Sequence, residues 1–216
     1  MANPKNQKAG GVDLSTIFNL ATQALTENQA SLNQADTYNQ DHGDNMVNAF
    51  TMISQALASK KNASPSQQLL HASEHLSKNG KGGSAQAYSQ GLAQAAQQFQ
   101  GQSSVTPDNA MMLVQSLLGG GQQSPQSTGG DLLGALLGGG QPAQQQGESQ
   151  DGLDLGDLLN AGMTFMNAKQ SGQGNLQAGL SALMAAGPLG QRPHRQQSGQ
   201  LVANALLQAV SGMSKR

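Results

Sequence analysis

The chain has 216 residues, of which only 11% are charged and 3% aromatic, and its formal net charge is -1. A near-neutral chain has no long-range pull toward nucleic acid or an anionic membrane. The absence of cysteine excludes disulfides, thiolate metal sites and a cysteine nucleophile.

The apolar 36% rests on Leu, Ala, Met and Val, and Ala and Leu favour helices over strands. The opening MANPKNQKAGG lacks the apolar run of a signal peptide, so residues 1–11 read as a disordered tail. No stretch approaches the ~20 apolar residues that span a bilayer. A cytoplasmic protein with no membrane partner is expected.

Helical spacing begins with Leu14, Ile17, Phe18, Ala21, Ala24 and Leu25, and Asp13 and Ser15 suit its start. A polar loop follows, DTYNQDHGDNM, holding Asp36, Asp41, His42 and Asp44. Carboxylates this close repel one another unless they are solvated or neutralised by a cation, and such oxygen donors suit magnesium. The plain alternative is a solvated loop in which Asp44 caps the next helix. That helix begins near Asp44 and carries Met46, Phe50, Ile53 and Leu57 on one face.

Ser64-Pro65 with Gln67 predicts another helix start, with Leu69, Leu70 and Leu76 on or near its buried side and Gly80 at its end. The same helix contains His71-Ala-Ser-Glu74-His75, an H-x-x-E-H pattern that lacks a third metal ligand nearby. The turn Gly80-Lys-Gly82-Gly83-Ser84 leads into a helix striped by Ala85, Tyr88, Leu92, Ala95 and Phe99. Backbone amides of such a turn form a phosphate cradle, although a turn between helices needs no ligand. Thr106-Pro107 starts the next helix, which carries Met111, Leu113, Val114, Leu117 and Leu118.

Residues 119–152 are mostly Gly, Gln, Ser and Pro around one short Leu-rich piece, which reads as a flexible insertion in a single domain of residues 12–216. Apolar spacing resumes from Leu153 to Met166 and from Leu176 to Met184. Gly187 to Arg195 breaks the pattern as a basic loop with Arg192, His194 and Arg195, which suits an anion or a nucleotide phosphate or is a plain solvated loop, and a last helix carries Leu201, Val202, Ala205 and Leu206. About eight helices without a strand predict an all-α up-and-down bundle.

Three of these stretches, in this order, resemble the DhaL-type domain, the nucleotide-binding domain of dihydroxyacetone kinases. The first is Asp36-x4-Asp41-His42-Gly43-x-Asn45-Met46, similar to the family's metal loop. The second is Gly82-Gly83-Ser84 with Tyr88, similar to its Gly-rich loop. The third is Leu189-Gly190-Gln191-Arg192 with Ser198-Gly199, similar to its late L-G-E-R loop.

The resemblance implies a barrel of eight antiparallel helices that holds ATP or ADP through magnesium. It implies Asp36, Asp41 and Asp44 as metal ligands. His42, Gly43, Asn45, Met46, Gly82, Gly83, Ser84, Gly190 and Arg192 would hold nucleotide and phosphate. This chain departs from the pattern by two missing residues before His42 and by Gln197 in place of a late aspartate. The family's sugar substrate sits on a separate domain, so a separate substrate-binding kinase subunit is the implied partner. Weak or lost turnover on such a fold is the leading expectation. The alternative is a non-catalytic scaffold that binds other proteins.

Overall fold

A computed structural model describes residues 13–119, 163, 166–167 and 192–213. The expected tail at 1–11, the insertion at 119–152 and the helices between 153 and 190 lie almost wholly outside these residues. The described part holds seven helices and no strand. They are α1 (Leu14–Glu27), α2 (Gln29–Ala35), α3 (His42–Ser59), α4 (Pro65–Asn79), α5 (Gly82–Gln98), α6 (Pro107–Leu118) and α7 (Pro193–Met213). No helix among them is long and apolar enough to cross a membrane.

Local chemistry sets three of the starts. The Asp13 carboxylate accepts the amide of Ser15 and caps α1. Ser64 and Gln67 form a reciprocal capping box at α4, and Thr106 and Asn109 form one at α6. In both, proline takes the first turn, where its missing N–H costs nothing.

One helix was expected to run up to the acidic loop, but the chain breaks at Asn28 into α1 and α2. The Asn28 side chain donates to the carbonyl of Ala24, an interaction that competes with continued helix.

The helices pack in a ring. α1 lies on α3, α3 on α4, α4 on α5 and α5 on α6; α7 then closes the ring against both α6 and α1. The predicted stripes face inward: Met46, Phe50, Ile53 and Leu57 of α3 and Ala85, Tyr88, Leu92 and Ala95 of α5 are all buried. Leu70 is the correction, since it stands 48% exposed on the outer side of α4.

Phe50 meets Phe18 at 6.0 Å and Tyr88 edge-on at 4.9 Å between ring centres. The Tyr88 hydroxyl is buried with no hydrogen-bond partner among the described residues, and burial pushes its pKa up. An unbonded buried hydroxyl costs desolvation and returns nothing. Tyr88→Phe is therefore expected to leave stability unchanged or raise it by about 1 kcal/mol in urea unfolding. A loss of that size instead would mean that the hydroxyl is bonded in solution.

Candidate functional site

The acidic loop joins α2 to α3, and its residues point in different directions. Helix α3 begins at His42, so Asp44 lies in its first turn and is not the cap. Its Oδ1 accepts Gln29 Nε2 at 2.7 Å and Asn33 Nδ2 at 2.9 Å, both from α2. Those two bonds hold the exposed Asp44 carboxyl below its usual pKa.

Asn33 also closes the start of α3: its Oδ1 accepts the amides of Gly43 at 2.6 Å and Asp44 at 3.2 Å. The amides at this helix start are thus satisfied from the neighbouring helix. Gly43 has a packing reason to be glycine, because an added Cβ would strike the Gln29 carbonyl oxygen and lie 2.8 Å from Asn33 Oδ1. Met46 is fully buried in the core, where packing accounts for it. Asn45 donates to Asp41 Oδ1 at 2.7 Å.

Asp36 is buried, and its Oδ1 accepts the amide of Tyr38 at 3.1 Å. His194 Nδ1 stands 3.8 Å away. Burial opposes ionisation of Asp36, yet the Tyr38 amide, the His194 and His42 charges and the Asn39 amide outweigh it and hold the pKa below 3.8.

His194 in turn faces His42, with ring centres 4.6 Å apart. His42 Nε2 lies 2.9 Å from Ser198 Oγ, and Ser198 Oγ lies 2.9 Å from the Arg195 carbonyl oxygen. A hydroxyl has one hydrogen, and the carbonyl can only accept. Both contacts are satisfied together when Ser198 donates to Arg195 and His42 donates from Nε2. That requires no charge on the ring. Burial, reinforced by the His194 and Arg195 charges against those of Asp36 and Asp41, lowers the His42 pKa to about 4.

The basic stretch expected as a loop is helical from Pro193, so His194 and Arg195 sit in the first turn of α7. Proline at the helix start is the signal that marked it. Arg195 reaches across to α5: a Cβ on Gly83 would lie 2.8 Å from its Nη2 and 3.3 Å from Nη1 and Cζ. Burial lowers the Arg195 pKa first, then the Arg192 charge, with Asp36 opposing. Among the described residues no carboxylate lies within 4 Å of this guanidinium.

At the start of α5, Gly82 has a φ of +79°, a conformation that favours glycine, and Lys81 makes no side-chain cap bond. Ser84 is buried in the first turn. Arg192 is exposed just before α7, and Gly190 lies outside the described residues. Gln197, where the family pattern has an aspartate, donates to Ser31 Oγ on α2 at 3.4 Å.

The geometry thus joins Asp36 and His42 to α7, and α7 to the Gly82–Ser84 turn. It does not join Asp36, Asp41 and Asp44 to one another. Each has an oxygen bonded to a different N–H donor, and among the described residues no three His, Asp or Glu side chains converge to hold a metal ion. Among the described residues the three carboxylates thus form no three-ligand cluster. The rings of His71 and His75 are 6.5 Å apart, and among the described residues no third ligand joins them.

Sequence reasoning marked the basic patch of Arg192, His194 and Arg195 and the Ser198-Gly199 pair but gave them no partners, and it assigned no role to Asn33. Their spacing from the partners they meet is ten residues for Asn33 and over a hundred for Ser198.

Residues 40–131 match the family model of the DAK2 domain, the family of DhaL-type dihydroxyacetone kinase domains. The matched stretch takes in α3 to α6, and thus the His42-Gly43 and Gly82–Ser84 stretches. It leaves out Asp36 and α7. No curated protein and no solved structure matches the chain.

Proposed function

We propose that this helical bundle binds the phosphates of ADP or ATP where the start of α5 meets the first turn of α7, with phosphoryl transfer weak or lost in this chain alone. The observation that carries the reading is the Arg195 guanidinium lying on Gly83 with no carboxylate partner among the described residues. A guanidinium against the first turn of a helix whose N-cap residue makes no side-chain bond adds positive charge to the positive end of the helix, and an anion relieves it. Arginine suits phosphate because its planar fork donates two parallel hydrogen bonds. The match of residues 40–131 to a kinase nucleotide domain supports a nucleotide as the source of that phosphate.

In this reading the Gly82, Gly83 and Ser84 amides and Arg195 hold phosphate, and Arg192 adds charge. His42 and Ser198 position α7, and Asp36 orients His194. Weak turnover follows from the divergent carboxylates, since transition-state charge in phosphoryl transfer is neutralised largely by metal ions. The family's division of labour points to a separate substrate-binding kinase subunit as partner.

The divergent carboxylates also favour a second reading, a scaffold on the same bundle that binds no nucleotide. Thermal unfolding with ADP separates the two. A ligand specific to the folded state adds about 2.7 kcal/mol at a hundredfold excess over its Kd. ADP is expected to raise the Tm, and adenosine, which lacks phosphates, is not. No shift at millimolar ADP would leave the scaffold.

A further inference from the structure

We propose that His71 and His75, on the outer side of α4, form a two-imidazole site for a transition-metal ion of the nickel, copper and zinc class. The site is independent of the nucleotide reading. The two residues stand one helical turn apart, the spacing that sets side chains above one another on one face. Their ring centres are 6.5 Å apart and their planes tilted by 32°. Such an ion holds imidazole nitrogens at about 2.0–2.1 Å. Rotation about the side-chain bonds brings both rings onto it, with no movement of the backbone.

The helix fixes the pair in advance. The Ser64–Gln67 capping box starts α4, and at its end the Gly80 amide donates to the Leu76 carbonyl at 2.7 Å. Leu69, Ala72 and Leu76 are buried in the core, which leaves His71 and His75 half-buried on the other side. Little ordering remains for an ion to impose, and preorganisation raises affinity.

His71 also lines a groove with Leu70, Glu74 and Lys60. The Glu74 carboxylate adds attraction for a cation, against the Lys60 ammonium. Imidazole suits nickel, copper and zinc, whereas magnesium takes oxygen donors. Two protein ligands are fewer than the three of a catalytic zinc centre or the four of a structural one. Water fills the other positions, so the site is open and its ion exchangeable.

The test is titration calorimetry of the full chain, without an added histidine tag, against nickel chloride and against magnesium chloride. One nickel per chain and no magnesium heat are expected. His71→Ala and His75→Ala should each weaken nickel by about tenfold or more, no less than the loss of an outer-shell partner costs. Because the ion joins successive turns of the folded helix, nickel should also raise the wild-type Tm and slow amide exchange in α4.

Nickel binding that either variant leaves unchanged would overturn the proposal and move the ion to His42 and His194. Slowed exchange in α7 instead of α4, or no binding at millimolar nickel, would overturn it as well. If a variant does not fold, amide exchange of the wild-type chain with and without nickel decides alone.

Discussion

Gly43→Ala is expected to destabilise the protein by about 2–3 kcal/mol, the upper part of the range for overpacking a tight contact. The new methyl would strike the Gln29 carbonyl oxygen, and backbone cannot rotate away as a side chain can. Relief requires α2 to move off α3. That movement breaks the bonds from Asn33 Oδ1 to the Gly43 and Asp44 amides and those from Gln29 and Asn33 to Asp44. For a chain of this size the cost corresponds to a fall in Tm of roughly 4–12 °C.

Asn48→Ala, on the exposed side of the same helix, should stay within about 0.5 kcal/mol. Equal stability of Gly43→Ala and wild type would mean that α2 does not lie on Gly43. A variant that keeps its stability but loses its response to ADP would return Gly43 to the ligand.

Acid should unfold the protein through the pair of rings between α3 and α7. His42 has its pKa lowered to about 4 from the ordinary 6.5, chiefly by burial. Its neutral ring is the folded form, so stability is full above pH 6.5. Between pH 6.5 and 4 the unfolded chain takes up a proton that the folded chain refuses, and stability falls. The gap between 6.5 and about 4 corresponds to about 3 kcal/mol. His194, lowered first by burial against the opposing Asp36 charge, acts in the same direction.

Asp36 adds a later loss. Its folded pKa lies below 3.8, so its contribution is present above that value and disappears as pH falls through the folded one. Urea unfolding at pH 7.5, 5.5 and 4.5 should show a steep decline for wild type. His42→Gln cannot titrate and keeps an N–H for Ser198, so its decline over that window should be shallower by about 2–3 kcal/mol. Equal declines would mean that His42 is solvated in the folded chain.

How far the sequence predicts this protein depends on where each interaction's partner lies along the chain. The starts of α1, α4 and α6 could be read directly because Asp13 and Ser15, Ser64 and Gln67, and Thr106 and Asn109 meet their partners within three residues. The all-helical fold followed from residue types, and the α3 and α5 stripes from a period that one helix imposes on its own side chains. Two pieces of the candidate site, His42-Gly43 and Gly82–Ser84, were likewise legible as motifs.

Their use was not. Asp44 looked like a cap or a metal ligand, and became the acceptor for two amides of α2. The basic patch held Arg192 and Arg195 side by side, and only the packing of α7 shows that Arg195 is the one that reaches Gly83. Capping and helical period are properties of a short segment, set by backbone geometry that every helix shares. The direction of the Asp44 carboxylate depends on how α2 packs on α3, and the landing place of an arginine from α7 on how the ring of helices closes, between residues more than a hundred positions apart.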